Sequence, residues 1–453
     1  ETQPRHLAST DSPDVEAAGI VSGRPVVSEW WTTLRDAALE SLVTRLVDEN
    51  LDLKVAMTRV REARALRTVS ASSLYPQLAL NGRFGDAQLG AERWHSGANY
   101  SIGFDANWEI DVFGGLRRGV EAADANVQAA LEGRRDTLVT LLGELGRNYV
   151  ELRGEQRQLE IARRNVALQE KTLDLIKIRR RAGLASDLEI AQVTRLLETT
   201  RANVPALEQL IARSIFRLSV LVGREPAALL GELGKPAPLP ATPPSVPVGL
   251  GSELLLRRPD IRRAERSMAA ACAQTGVARA DLYPRFSLTG TINYGSSGGL
   301  PGAPGFYAGP AITWPIFAGF RIVANIDAAD ARLERAVLGY RSTVLVALED
   351  VENAITAYGK ELVRRDVLAR AATEAEKASR FAQVQYNNGL VDFLNVIDAQ
   401  STLATAQQAL VLSEQTLLVN LIAVYKALGG GWDVLDVKLS EREVQPSDTE
   451  LPR

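Results

Sequence analysis

Residues that commonly carry catalysis or bind metals are scarce in this 453-residue chain. It has one cysteine, Cys272, and two histidines, His6 and His95, which fall in predicted loops without a nucleophile motif, a phosphate loop or metal-ligand spacing. This set is too small for the common zinc clusters, and a single cysteine excludes a disulfide within the chain. We therefore predict that the protein is not an enzyme and binds no cofactor or metal.

The remaining reactive groups have structural interpretations. Glu349, Asp350 and Glu352 resemble a paired-carboxylate cluster, but they lie on a long predicted helix, where a solvated or inter-helix charged face is expected. Cys272 lies in a run of small residues, 269–273, and we expect a buried structural thiol. The net charge of -3 provides no basic surface, which argues against nucleic acid as a partner.

Heptad repeats are the main structural signal in the chain. The first proline-free run extends from Leu116 to about Arg181, and it predicts a helix roughly 100 Å long that packs along one seam. A second such run, from about Phe320 to Asn388, has the same pattern. The seam positions are Leu131, Leu138, Leu145, Leu152, Leu159, Val166 and Leu173 in the first run and Val337, Val344, Val351 and Tyr358 in the second.

Each long run is followed by a glycine and a further heptad helix, so that two helical hairpins are predicted, at 116–222 and 320–427. Before each hairpin the apolar period changes to two, which predicts β-hairpins at 76–111 and 284–317 with one apolar and one polar face.

The order of these elements predicts an α+β protein built from a duplicated strand-strand-helix-helix unit. The period of about 206 residues is too long for a solenoid repeat. The predicted domains are an N-terminal extended arm (1–27), a first structural repeat (28–231), a proline-rich linker (232–250), a second structural repeat (251–428) and a C-terminal tail (429–453).

The four predicted strands raise the question of a membrane. The sequence has no run of 18 consecutive apolar residues, which argues against a transmembrane helix. A four-stranded sheet in lipid leaves unpaired backbone groups at its edges, so it would have to close with other copies of the chain: two copies supply eight strands, and three supply twelve and a lumen. The alternative is a soluble β-sandwich with a structural coiled coil.

Four stretches carry a resemblance to a known family. They are the segment from Leu254 to Glu265 with its Arg-Arg-Pro-Asp core, Trp30-Trp31 with Asn50 to Leu53, Asp398-Ala399-Gln400, and Leu428 to Trp432. With these the chain resembles the TolC-like outer membrane factors, the outer membrane efflux lipoproteins that serve resistance-nodulation-division pumps. The likeness extends over nearly the whole chain.

The resemblance implies a homotrimer with a twelve-stranded β-barrel among outer membrane lipids and a coiled-coil tunnel that projects into the periplasm. It also implies a periplasmic adaptor protein and an inner membrane pump as partners. Lipoproteins of the family begin, when mature, with a lipidated cysteine, whereas Glu1 stands first here. Processing, the extent of the sequence, or absence of the anchor would each explain this difference.

The resemblance also assigns roles to the helix-to-helix turns. The glycines of Gly183-Leu184 and Gly389-Leu390 have a structural explanation. Each follows a long helix, and a glycine at that position adopts the left-handed conformation that terminates the helix. In the family these turns form the tunnel tip to which the adaptor docks. Both interpretations are compatible.

Four further residues match the family's gate. Leu394 and Asp398 share a helix face roughly opposite the seam, and by resemblance they form the constriction of the resting tunnel. The alternative for Asp398 is a solvated carboxylate near a helix start. Tyr386 and Glu189 match positions that hold neighbouring hairpins together, although Glu189 is also explained by a capping box with Ser186.

One member of that gate is missing. Some relatives carry a basic partner at the position of Val391. A salt bridge is therefore not expected there, and Leu394 with Asp398 is the preferred gate.

The predicted function is a passive, gated outer membrane conduit for efflux. Alternatives are the outer membrane conduit of a protein secretion system and a periplasmic coiled-coil scaffold without a pore. With two methionines and two histidines, a lumen that passes soft metal ions between ligands is not expected, which favours small organic compounds such as antibiotics as cargo.

Overall fold

A computed structural model describes residues 19–22, 27–86, 98–249, 257–296 and 302–436 of the chain. His6 and His95 lie outside the described residues, as does most of the predicted N-terminal arm. The helices are α1 (Ala37–Glu49), α2 (Leu51–Ser72), α3 (Gly115–Arg181), α4 (Asp187–Leu221), α5 (Leu230–Leu233), α6 (Pro259–Ala280), α7 (Arg321–Asn387) and α8 (Phe393–Ala427), with a 3-10 helix at Trp30–Leu34. The strands are β1 (Ile20–Ser22), β2 (Gln77–Asp86), β3 (Ala98–Ile110), β4 (Val246–Gly249), β5 (Arg285–Ser296) and β6 (Ala303–Thr313).

The chain divides into two compact units, and each draws on both halves of the sequence. The first, here the helical unit, comprises Glu1–Val55, Arg135–Pro259 and Leu345–Arg453. The second, here the strand unit, comprises Ala56–Arg134 and Asp260–Val344. The long helices α3 and α7 contribute residues to both units.

The strand unit contains an antiparallel four-stranded sheet in the order β2-β3-β5-β6. Both predicted β-hairpins form, and the pairing of β3 with β5, with Phe104 opposite Ile292, joins them into one sheet. Apolar residues of the sheet such as Leu78, Phe84 and Phe306 are exposed. Because no described element covers this apolar face, the structure argues against a soluble sandwich.

The helical unit is packed along the predicted heptad seams. In α3, Leu138, Leu145 and Leu152 are buried, and in α8 the seam residues Leu417 and Val424 are buried. The 3-10 helix adds Trp30, whose ring stacks on that of Tyr425 with centroids 5.7 Å apart. A Cβ at Gly146 of α3 would lie 2.7 Å from the Trp30 ring, so glycine permits this close approach.

Arg258 of the Arg-Arg-Pro-Asp segment joins separate parts of the helical unit. It is 8% exposed, and its guanidinium donates hydrogen bonds to the carbonyl oxygens of Ala347 and Ala427 and pairs with Asp350 at 3.1 Å. Part of the acidic cluster around Asp350 is therefore an inter-segment charge contact, as expected.

Asn50 plays a similar structural role. Its amide nitrogen donates to the carbonyl oxygen of Leu221, and its side-chain oxygen accepts from the backbone amide of Leu53. The resemblance motif at Asn50 to Leu53 therefore ties the start of α2 to the end of α4.

One sequence prediction needs correction. Cys272 is exposed rather than buried, because its side chain lies on a face of α6 that the single chain leaves uncovered. The short strands β1 and β4 form a parallel two-stranded sheet, which brings the end of the arm onto the end of the proline-rich linker. Pro247 fits in β4 because a two-stranded sheet has only edge strands.

One helix in the described part of the chain, α8, is long and apolar enough to pass as a membrane span, with a mean hydropathy of 1.3 over 18 residues. The core helix of a soluble protein can have the same length and apolar composition. Of this 18-residue stretch of α8, 44% is buried against the rest of the chain.

Candidate functional site

The two helix-to-helix turns have nearly the same geometry. Gly183 has φ 74° and Gly389 has φ 70°, both in the left-handed region. The amides after them close the helix ends: Leu184 donates to the carbonyl of Arg179 at 2.8 Å, and Leu390 donates to that of Gln385 at 2.9 Å. The two leucines are 68% and 73% exposed. Each turn therefore presents an apolar side chain that the chain itself does not bury.

A capping box begins α4 directly after the first turn. The backbone amide of Ser186 donates to Oε2 of Glu189 at 2.6 Å, and Oγ of Ser186 accepts from the backbone amide of Glu189 at 3.3 Å. The predicted capping box is thus confirmed. Its geometry leaves the second carboxylate oxygen of Glu189 free to contact another element.

Tyr386, near the end of α7, makes that contact. Its hydroxyl donates to Oε1 of Glu189 across 3.4 Å, so one carboxylate caps α4 and also receives a bond from the other hairpin. The Tyr386 ring packs at 5.1 Å from that of Phe393, and the guanidinium carbon of Arg179 lies 4.5 Å from its centroid. The two hairpins are thereby connected close to their turns.

Burial raises the pKa of the Tyr386 hydroxyl, and the Glu189 carboxylate raises it further, while Arg179 opposes the shift. Tyr386 is consequently a neutral hydrogen-bond donor at physiological pH.

An apolar cluster packs beneath this connection. It combines side chains from α3, α4, α7 and α8, namely Leu173, Ile176, Val193, Leu197, Tyr386, Phe393, Val396 and Ile397. Next to it, the buried amide nitrogen of Gln400 donates to Oγ1 of Thr172 at 3.3 Å. Hydrophobic packing therefore contributes more to the stability of the tip than the long Tyr386 hydrogen bond does.

Leu394 and Asp398 lie on the outer side of this cluster. Both are exposed, Leu394 at 61%, whereas Val396 and Ile397 between them are buried. Asp398 makes no ion pair with any described residue. The two side chains share one solvent-facing surface of α8 and have no role in the packing of the single chain.

Some residues of this site were not identified from the sequence. Arg179 and Phe393 flank the Tyr386 ring, and Arg180 makes a two-pronged ion pair with Asp187 across the first turn at 2.9 and 3.0 Å. Arg179 lies in the last turn of α3, where a basic residue is ordinarily explained by its favourable interaction with the helix dipole. The one usable signal was Phe393, an apolar residue at the start of α8 and three positions before the seam residue Val396.

Among the described residues, no group of three or more histidine, cysteine, aspartate or glutamate side chains is arranged to hold a metal ion. The two hairpin tips are joined by a weak polar contact and a small apolar cluster, and exposed leucines lie at the turns. Such a site can change conformation or bind a partner, but it offers no group for chemistry among the described residues.

Comparisons with known proteins identify the family of the chain. The family model described as "Outer membrane efflux protein" matches residues 42–224 and 250–430. The chain is 32% identical to the pyoverdine export outer membrane protein OpmQ of Pseudomonas aeruginosa, over 90% of this chain and 88% of that protein. It is 30% identical to nodulation protein T of Rhizobium leguminosarum bv. viciae, over 92% of this chain and 87% of that protein.

Among solved structures, the chain is similar to the outer-membrane channel OprN. The TM-score is 0.87 at 34% sequence identity, and the match covers 95% of this chain and 97% of that one.

Proposed function

The chain belongs to the outer membrane efflux protein family, and from this premise we propose that it is the outer membrane channel of a tripartite efflux system, a passive conduit without chemistry of its own. It is an outer membrane protein, and the proposed tunnel extends from that membrane into the periplasm.

The observation that carries the proposal is the open sheet of the strand unit. Within the described residues, β2 and β6 are edge strands with no partner on their outer sides, and the apolar face of the sheet is exposed. In a bilayer the unpaired backbone groups on such edges each cost several kcal/mol. Closure of three copies into a twelve-stranded barrel, with β6 of one copy beside β2 of the next, would satisfy them and leave a lumen.

The tips of the helical hairpins are the proposed docking surface for a periplasmic adaptor. Gly183 with Leu184 and Gly389 with Leu390 end the two hairpins, and the exposed leucines offer apolar contact that the chain leaves unused. An inner membrane pump of the resistance-nodulation-division class is the proposed source of energy.

The gate is proposed to lie beside these tips. In a three-fold tunnel, Leu394 would form a ring of leucines and Asp398 a ring of carboxylates. The contact of Tyr386 with Glu189 would hold the closed arrangement, and adaptor docking would release it. Support comes from the exposure of Leu394 and Asp398 and from the length of the Tyr386 hydrogen bond.

Small organic compounds, such as antibiotics, are the proposed cargo. Relatives named for pyoverdine export and for toluene efflux agree with organic cargo, and the composition, with two methionines and two histidines, does not favour soft metal ions.

Single-channel conductance in a planar bilayer tests the proposal. The wild type is compared with a Leu394→Ala, Asp398→Ala double variant, which we expect to conduct several-fold more because the constriction has lost both rings. A Leu412→Ala, Glu414→Ala variant removes the same classes of side chain from α8 farther from the tip, and it should conduct like the wild type. A protein that purifies as a monomer in mild detergent, or that never conducts, would contradict the proposed function.

A further inference from the structure

A groove of about 870 Å³ lies in the helical unit, over α3 and between α4 and α8. Its volume lies within the range of small-molecule sites in proteins. The side of α3 that forms it carries Glu144, Arg147 and Glu151. The other side of α3 is packed: the Tyr149 hydroxyl donates to Asp36 at 2.7 Å, and Gly146 lies against Trp30. The groove is thus on the side of α3 that the chain leaves open.

The α4 wall of the groove exposes large apolar side chains beside Arg213 and Arg217. Phe216 is 38% exposed and Val220 is 48% exposed, and Leu210 belongs to the same wall. On the α8 side the lining includes Ile422. Large apolar side chains on an otherwise charged surface favour a ligand with an apolar body.

Most charges in the groove are already paired. Arg217 of α4 pairs with Glu144 of α3, and Arg147 pairs with Glu151. Within each pair the two charges cancel, so the floor of the groove carries little net charge.

Two cations of the groove remain without an ion pair among the described residues, Lys426 and Arg213. The lysine stem lies along α3, where a Cβ at Gly143 would be 3.1 Å from Cδ of Lys426, so the glycine gives room for that stem. Glu155 accepts a hydrogen bond from Ser214 at 2.8 Å; burial raises its pKa, whereas that hydrogen bond and the charge of Arg213 lower it. With Glu155 charged, the lining still holds four cations (Arg147, Arg213, Arg217 and Lys426) and three carboxylates (Glu144, Glu151 and Glu155). The excess charge of the groove is therefore positive.

We propose that this groove binds an amphipathic organic anion, with the apolar body against Phe216 and Val220 and the acidic group on Lys426. Arg213 adds positive potential along the same groove. The idea that the groove retains cargo within the conduit rests on the proposed function. The binding of the anion itself does not require that the protein conducts. The alternative role for Lys426 is favourable interaction with the C-terminal end of α8, which would not involve a ligand.

Binding can be measured by calorimetry on the whole protein in detergent, with naphthalene-2-sulfonate as the probe. A naphthylmethylammonium salt serves as the matched ligand, since it has the same apolar body and the opposite charge. We expect saturable sulfonate binding with one site per chain, which weakens with added salt, and only unsaturable partition for the ammonium. Equal binding of the two probes would overturn the inference.

Two variants and one control separate the contributions. Lys426→Gln should weaken sulfonate binding about five-fold, and Phe216→Ala should weaken it to a similar extent. Lys171→Gln makes the same charge change at an exposed lysine of α3 outside the groove lining, and it should leave binding unchanged. If Lys426→Gln and Lys171→Gln behave alike, the groove is not the binding site.

The inference and the proposed function can fail separately. A wild type that conducts but does not bind the sulfonate overturns only the groove. A wild type that binds the sulfonate in a Lys426-dependent way but does not conduct overturns the proposed conduit and leaves the groove intact.

Discussion

The Tyr386 hydroxyl donates to Oε1 of Glu189 across 3.4 Å, although the two residues are 197 positions apart in the sequence. The bond is long for an O–H···O contact, whereas the other oxygen of Glu189 accepts from the Ser186 amide at 2.6 Å. The carboxylate is therefore fixed by its own helix and only loosely held by the neighbouring hairpin. In the proposed gate, this loose contact would favour the closed tip and still allow it to open.

Replacement of Tyr386 by phenylalanine removes this bond and keeps the ring. We expect Tyr386→Phe to open more often in single-channel recordings, by about two- to ten-fold in open probability, because a net hydrogen bond is worth about 0.5–1.5 kcal/mol. The ring packing on Phe393 and Arg179 should persist, so the protein should assemble as the wild type does.

Tyr358→Phe is the matched control, because Tyr358 is buried on the same helix and its hydroxyl makes no hydrogen bond with a described residue. Its recordings should match those of the wild type. An increase of the same size in both variants would show that the Tyr386 hydroxyl has no specific role in gating.

The same contact predicts a response to alkaline pH. The folded-state pKa of Tyr386 is raised above the ordinary 10.0, so the contribution of its neutral form is fully present below pH 10 and is lost as the pH rises through the folded-state pKa. A phenolate would then face the Glu189 carboxylate. Open probability should be flat between about pH 7 and 10 and should rise above that, and Tyr386→Phe should lack the alkaline rise. If Tyr386→Phe shows the same alkaline rise in open probability, other titrating groups cause that rise.

The turn glycines give a prediction about the stability of the tips. A Cβ at Gly183 or Gly389 would have no neighbour within 4 Å, so the cost of alanine there comes from the left-handed backbone alone, about 1–2 kcal/mol. Hydrogen exchange of the adjacent turn amides should accelerate about 5- to 30-fold in each alanine variant. Gly119→Ala is the control: Gly119 lies inside α3, and a Cβ there would also have no neighbour within 4 Å. This substitution should favour the helix and leave the exchange rates of the turn amides unchanged. Unchanged exchange in the turn variants would contradict the backbone argument.

The long elements were predictable because their patterns repeat. The heptads of α3 and α7 and the alternation in the four strands of the sheet specify helix and strand over many residues, and a local error does not change the outcome. The capping box at Ser186 was predictable for a different reason, since both of its partners lie within one helical turn.

Contacts between distant segments were not predictable in this way. The placement of Arg179 over the Tyr386 ring depends on how two hairpins pack, and nothing local in either sequence encodes that distance. The exposure of Cys272 has the same origin, because a small-residue helix face does not reveal whether the chain covers it. The pairing of β1 with β4 joins segments more than 200 positions apart, and short strands carry almost no periodic signal.

Arg258 provides a final prediction, on stability. Its planar guanidinium reaches the carbonyl oxygens of Ala347 and Ala427 and the Asp350 carboxylate at once, and the shorter lysine head cannot satisfy all three. Arg258→Lys should leave buried acceptors unpaired, at a cost of about 2–4 kcal/mol, and should lower the apparent Tm followed by helical circular dichroism by about 2–4 °C.

Arg180→Lys is the control for that experiment, since Arg180 makes an exposed ion pair with Asp187 and exposed pairs contribute little. It should unfold at the wild-type temperature. If Arg258→Lys also unfolds there, the buried guanidinium does not hold α7 and α8 together, and the Arg-Arg-Pro-Asp segment must owe its presence to something other than packing of the helical unit.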